Sequence, residues 1–504
     1  MLLGPKSVYL DHNATTPVAS DVQKAMADVL QHSFGNPSSL HTLGRKARGQ
    51  VETARASVAK RLGCPSKNIL FTSGGTEGNN AVIKGVFLDA RLRKGFAGHI
   101  VTSSIEHDSI LGAAAQVEQL GGSVTYVPAQ RDGLIRVADV EAALRDDTVL
   151  ISIMHANNET GAIQPIAEIA ALAKKRGITM HTDAVQSFGK IPFTVDELGC
   201  DFLTLTAHKL NGPKGAGAIY IRETSTFFPL LSGGDQEQAL RTGTEGVAQI
   251  VGLGVAAELA GDRMHRELER LWDVRREFLQ ALRKVCPTVI VHEAPDAHQL
   301  PGTLNLAFPG HEGITLLAGL DCWEIGVSIG SACTADRIAP SHVLLGMGID
   351  QREALSTIRM SMGTTTTARD MRYVVEVLEK IVGHAPKGLA YLDPQHLDEK
   401  RIRSAHTFLV DLRLPYERWA SRSIPGAHEW NAFSFDEESK RIPHDREAIL
   451  ICGTGIISYA AGYRLANRGH PEVKVVYGGY SAWRGRYPDL LERLLGEPSD
   501  EMTK

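Results

Sequence analysis

The chain has 504 residues, of which 43% are hydrophobic and 22% charged, proportions of an ordinary globular protein with room for about three domains. A net charge of -4 excludes a broad basic surface for nucleic acid, and the longest apolar-leaning run, residues 247–260, is too short and interrupted to cross a bilayer. No early secretory pattern is seen, and six scattered cysteines (Cys64, Cys200, Cys286, Cys322, Cys333, Cys452) contain no CxxC pair, so reduced thiols in a cytoplasm are expected rather than disulfides or a metal site.

The opening YLDHNATTP (residues 9–17) reads as a short strand breaking into a polar turn. After SFGNPSSLH, Ala47, Val51, Ala54 and Val58 recur at helical spacing within residues 44–62. Residues 69–72 form an apolar strand that runs into SGGTEGNN and a helix, a geometry that presents backbone N–H groups and the Thr76 hydroxyl to a phosphate, or merely caps the helix. Further strands at 100–103, 124–128, 148–153, 178–182 and 202–205 alternate with helices, which predicts a mostly parallel sheet covered on both faces. Ligands of such sheets sit beyond the carboxyl ends of the strands. There the sequence puts His107, Asn158, Asp183, Gln186, Thr206, His208 and Lys209.

Each of these side chains has a chemical use and a structural alternative. Lys209, in TAHKLNGPKGAG, follows a buried strand, and partial burial there suits a Schiff-base lysine. His107 is suited to stacking on an aromatic cofactor or to opening a helix. Asp183 is suited to holding a protonated pyridine nitrogen or to capping a strand, and Gln186 to donating to a phenolic oxygen. Gly252, Gly254 and Ala257 loosely match a dinucleotide fingerprint, but the helical spacing of Val247, Ile250, Val251 and Val255 predicts a helix with close-packing glycines.

Beyond about residue 268 the helical pattern changes partners, and strands at 289–292 and 303–308 suggest a separate α+β layer. Cys333, in VSIGSACTADRIAPSHVL, has no apolar periodicity around it and is expected to be exposed, a candidate nucleophile. Arg359, an isolated cation in apolar TIRMSM, demands an anion, either an internal carboxylate or that of a substrate. Residues 383–404 read as a linker. The remainder is a compact α/β pattern in which Cys452 closes an apolar strand and opens a glycine loop before a helix, where N–H groups favour a thiolate.

The segments YLDHNATTP, FGNPSS, TSGGTEGNN, EHDSI, NNETGAIQPI, HTDAVQSFGK, AHKLNGPKGAGA, RTGTE, GSACTA and IRMSMG, in that order over residues 7–385, resemble the cysteine desulfurases of the iron–sulfur assembly and nitrogen-fixation type, which are class V aminotransferase-like. The resemblance implies a homodimeric pyridoxal-phosphate enzyme that converts L-cysteine to L-alanine and passes sulfur to an acceptor protein such as an iron–sulfur scaffold. It places the Schiff base on Lys209, Asp183 at the ring nitrogen, His107 over the ring and Gln186 at the phenolate. It sets Gly75, Thr76, Thr206 and His208 on the phosphate, with Thr244 reaching the phosphate of the neighbouring subunit. Asn158 and Arg359 would meet the substrate, and Cys333 would carry the persulfide on a long loop. A selenocysteine lyase or another class V enzyme is the alternative.

Downstream, Asp411, Arg413, IPGA and the GGxxxW ending resemble a rhodanese domain, with Cys452 as the sulfur carrier. Ile457 and Ser423 replace the frequent arginine and histidine of that family, so a docking role for this module stays open. The expected domains are 1–262 (large, cofactor-binding), 263–385 (small α+β, with N-terminal residues packing on it), 386–404 (linker) and 405–504 (rhodanese-like).

Overall fold

The computed structural model describes residues 7–495 apart from 96–97, 223–224, 226, 331–339 and 384–387. Seven strands form the main sheet, in spatial order Ile69–Thr72, Gly217–Ile221, Phe202–Thr206, Thr179–Asp183, Thr148–Ser152, His99–Ser103 and Ser123–Val127. All neighbours run parallel except Gly217–Ile221, which is antiparallel to both strands beside it. The central strands are buried throughout, as apolar runs without alternation require, while the edge strand Ser123–Val127 is only half-buried.

The helix Val247–Val285 joins two cores. Its first half packs Ile250, Leu253 and Ala256 into the core of the large sheet, and its second half packs Phe278, Leu279 and Leu282 into that of the small domain. The change of partners expected near residue 268 therefore happens along one helix, and residues 262 and 263 lie inside it. The dinucleotide-like glycines are helical packing positions: a Cβ on Gly254 would lie 2.7 Å from the Ala54 Cα on helix Thr42–Leu62.

The small domain has an antiparallel sheet, Thr357–Ser361, Thr303–Ala307 and Ile290–Val291. Val8–Tyr9 pairs with Ile325–Gly326, and Val8 and Leu10 are buried in this core, so the N-terminal residues do pack here. The chain then crosses to the large domain, where Thr16 donates through its amide and hydroxyl to the His208 carbonyl.

The C-terminal module is a parallel sheet ordered Leu389–Leu392, Val473–Val476, Glu447–Ile451, Thr407–Asp411 and His428–Glu429. Part of the segment 386–404, read as a linker, is thus an edge strand of this sheet; Leu389, Tyr391 and Leu392 give it enough apolar surface to pair despite its polar surroundings. The module is also docked. Ala318 of helix Gly313–Asp321 is buried in its core, the Thr315 and Tyr391 hydroxyls meet at 2.7 Å, and the Cys322 thiol donates to the Ala460 carbonyl.

Gly254→Val should overpack the junction of the two long helices. The expected cost is about 1–3 kcal/mol, seen as a lower thermal midpoint with the secondary structure kept. An unchanged midpoint would contradict the close approach.

Candidate active site

The helix Gly75–Lys94 starts directly over the carboxyl end of the sheet, because a Cβ on Gly217 would lie 2.7 Å from Gly74 Cα. Its first N–H groups therefore open into a cleft of about 320 Å³ beyond the strand ends. Ten residues singled out in the sequence line that cleft: Gly75, Thr76, His107, Asn158, Asp183, Gln186, Thr206, His208, Lys209 and Arg359. Thr244 is exposed and does not line it. Cys333 lies outside the described residues.

Lys209 sits in the turn Ala207–Lys209 that follows strand Phe202–Thr206. Its Nζ donates to the carbonyls of Asn13 and Ala14. Asp183 ends its strand, with Oδ1 accepting from the Val185 amide at 2.9 Å and Oδ2 from Asn79 Nδ2 at 2.7 Å. His107 is both a helix-entry residue and a cleft residue: its Nδ1 accepts from the Ser109 amide at the start of Asp108–Gln119. Arg359 arrives from the small domain. Nη2 pairs with Asp11 at 2.7 Å, Nη1 donates to the Asn158 carbonyl at 3.4 Å, and the buried Nε has no hydrogen-bond partner among the described residues. The internal ion pair is therefore real, and one donor of the guanidinium is left over.

Two residues within the quoted motifs were given no role from the sequence. Asn13, in YLDHNATTP, gathers the site: its carbonyl accepts from Lys209 and Gln186, its Oδ1 from Lys190, and its Nδ2 donates to the Asn158 carbonyl and Thr303 Oγ1. Lys190, in HTDAVQSFGK, donates at 2.9 Å to Gln186 Oε1 and so fixes which way that amide points. Burial, then Lys209, then Arg359, lower Lys190 from 10.5 to about 7. His208 is lowered to about 4, first by burial and then by Lys209, Lys214 and Lys190. Lys209 and Arg359 line the cleft together with Asp183, so it offers cations beside the helix start as well as a carboxylate.

Cys452 does not lie in an exposed loop: it is 1% exposed. The strand Glu447–Ile451 is central in its sheet, and Gly479 and Glu417 close over the loop that follows. The expected cradle is nevertheless present, since Sγ accepts from the amides of Gly455 at 3.1 Å and Ser458 at 3.3 Å at the start of helix Ile456–Asn467. Ile457 packs against the module's core.

Comparison with known proteins agrees with this layout. Residues 8–374 match the model of the family "Aminotransferase class-V". The chain belongs to the class V aminotransferases. Residues 393–486 match the rhodanese-like domain, which forms the C-terminal sheet. The chain is 46% identical over 377 residues to a "Cysteine desulfurase IscS" of Dictyoglomus turgidum, covering 75% of this chain and 95% of the relative. A solved "NIFS-LIKE PROTEIN" superposes with a TM-score of 0.70 at 36% identity, over 75% of this chain and all of the other. A structure titled "SspA in complex with cysteine" does so at 0.63 and 37% identity, over 71% of this chain and 99% of the other.

Class V aminotransferases and cysteine desulfurases of this type depend on pyridoxal phosphate. The residues present fit that group: an amine at a strand end, a buried carboxylate held by neutral donors, a helix start suited to phosphate, and unpartnered buried atoms at Asn158 Oδ1 and Arg359 Nε.

Two buried imidazoles, His155 and His181, set a pH dependence. Burial lowers His155 from 6.5 to about 4 and His181 to about 3, and His181 is held between Ser152 and Thr204 hydroxyls. Both are neutral in the fold and take up protons on unfolding. Their contribution is therefore complete above pH 6.5 and is lost as pH falls through about 4 and 3, each on the order of a few kcal/mol. Urea midpoints should drop across that window, and His181→Gln should flatten the drop. An equal slope in both proteins would contradict neutral burial of this ring.

Proposed function

We propose that the chain is a cysteine desulfurase in which Lys209 and Cys333 do the chemistry and Cys452 receives sulfur. The observation that carries this reading is the meeting, in one cleft, of the Lys209 amine, the Asp183 carboxylate and the Arg359 guanidinium. Pyridoxal phosphate supplies the electron sink for negative charge at the substrate Cα. Asp183 would hold the proton on the ring nitrogen, Gln186 would donate to the phenolic oxygen, and His107 would cover the ring. The N–H groups at Gly75 and Thr76, with Thr206 and His208, would hold the phosphate. Asn158 and the spare Nε of Arg359 would orient the carboxylate of L-cysteine. Lys209 would remove the Cα proton and return one later.

Sulfur transfer balances without an outside oxidant. The Cys333 thiolate attacks the substrate sulfur, the Cβ–S bond breaks, an S–S bond forms on Cys333, and Cβ gains a proton, so L-alanine leaves. The Cys452 thiolate would then attack the outer sulfur of Cys333, which regains its thiol. The amides of Gly455 and Ser458 support this second step, by stabilising a thiolate. The 1% exposure of Cys452 and the apolar packing of Ile457 favour the second reading, a docking module.

The exposed, large apolar side chains of Leu30, Phe34 and Leu40, together with the exposed Thr244, support a homodimer. No described helix is long and apolar enough to cross a membrane. The cysteines among the described residues are unpaired, which supports a cytoplasmic place.

A single-turnover experiment with sulfur-labelled cysteine tests both transfers. Label should reach Cys333 first and Cys452 later, and Cys333→Ser should reduce alanine release to background. Normal alanine release by that variant would reject Cys333 as the nucleophile. Label that never reaches Cys452 would leave the module as a docking domain.

A further inference from the structure

Strand Ile69–Thr72 lies at the edge of the main sheet and feeds the helix start proposed above to hold the phosphate. Among the described residues no strand pairs with its outer side, and a buried ion pair takes that place. Arg55 donates through Nη1 to the Ile69 carbonyl at 2.7 Å, and Glu237 accepts from the Phe71 amide at 2.7 Å. The two side chains also bond each other twice, at 2.6 and 2.9 Å. Glu237 opens a run of three left-handed residues, with φ +47° at Glu237 and +60° at Gln238 and Ala239, a costly conformation for residues that carry a Cβ. The pair with Arg55 and the bond from Gln238 Nε2 to the Lys67 carbonyl hold it there.

The turn delivers Arg241 to the helix that follows the same strand. Arg241 Nε donates to Glu77 Oε1 at 2.8 Å, and Nη2 to Oε2 at 3.4 Å. Glu77 lies in the first turn of helix Gly75–Lys94, and its Oε2 also accepts from the Ser73 amide at 2.8 Å. Partial burial favours the neutral acid, but the bonds from Arg241 and Ser73 together hold Glu77 below the usual carboxylate range, so it is ionised at neutral pH. A bare carboxylate in that turn would compete with a phosphate for the positive end of the helix and repel it.

We propose that Arg241 is a positioning residue for the cofactor phosphate: it cancels the charge of Glu77 in the first turn of the helix whose N–H groups receive that phosphate, and the strained turn at 237–239 brings it there. Arg241 and Glu77 are not among the residues lining the cleft, so both act through the helix start. Glu237 holds the strand before the glycine turn and Arg241 holds the helix after it, so one short segment grips the phosphate cup on both sides. The proposal rests on the reading of that helix start as the phosphate site.

The test compares pyridoxal phosphate with pyridoxal, which lacks the phosphate, in absorbance titrations of the full-length chain freed of cofactor. Thermal midpoints check that each variant folds. Arg241→Gln should bind pyridoxal phosphate about tenfold more weakly and pyridoxal as the parent does, since an unpaired Glu77 repels only the phosphate. Glu77→Gln keeps an acceptor for the Ser73 amide and should bind pyridoxal phosphate at least as tightly as the parent. The double variant, Arg241→Gln with Glu77→Gln, should recover most of the lost affinity, and Arg241→Lys should stay near the parent. A purely structural brace predicts a double variant no better than Arg241→Gln. No recovery in the double variant, weaker pyridoxal phosphate binding by Glu77→Gln, or an equal loss of both probes in Arg241→Gln overturns the proposal. If the parent itself binds pyridoxal as tightly as pyridoxal phosphate, the reading of the helix start as the phosphate site fails, and the proposal with it.

Discussion

The gathering of the Lys209 and Lys190 amines on Asn13, a residue of the N-terminal segment that crosses between the domains, is the constraint on which the rest of the site depends. Among the described residues, Lys190 donates to Asn13 Oδ1 and Gln186 Oε1, Lys209 donates to the Asn13 and Ala14 carbonyls, and Arg359 pairs with Asp11 and donates to the Asn158 carbonyl. Neutral acceptors satisfy the donors without cancelling the charge. The start of helix Gly75–Lys94 and the Arg359 guanidinium both line the cleft, and both are groups that suit an anion. Asp183, held by Asn79 and the Val185 amide, lines the same cleft.

The N-terminal segment turns that local constraint into a property of the whole fold. Val8 and Leu10 are anchored in the small-domain core, while Asn13 and Ala14, three and four residues after Leu10, are acceptors for Lys209. The Asn13 amide donates to Ser361 Oγ, and its side chain spans to Thr303, so two of the three strands of the small-domain sheet hold the loop. With the continuous helix Val247–Val285, this gives two covalent crossings between the domains at the site. A shift of the small domain would move Arg359, Asp11 and Asn13 together.

The layered fold was legible because buried parallel strands need unbroken apolar runs, and the strands at 69–72 and 202–206 announce themselves that way. The site was legible for a related reason, since polar residues directly after such strands have little structural use there. Lys190 and Asn13 escaped because each matters through partners far away in sequence, which no local pattern records. The antiparallel strand Gly217–Ile221 was hidden behind the glycine-rich turn of the Lys209 motif. The strand Leu389–Leu392 was hidden by polar neighbours, and its pairing with Val473–Val476 is a contact across most of the module. The glycines after Cys452 do not open its loop to solvent; they let neighbouring backbone close over it, and Cys452 is buried. The part of the reading that concerns Cys333 lies in residues 331–339, outside those described.

The central claim is that Lys209 is the residue to which pyridoxal phosphate is joined. Borohydride reduction of the cofactor-loaded, full-length protein, followed by peptide mapping, fixes the pyridoxyl group where it is attached. The account predicts the added mass on the peptide containing Lys209 and none on the peptide containing Lys190. The added mass on Lys190, or on a lysine outside this cleft, would contradict it.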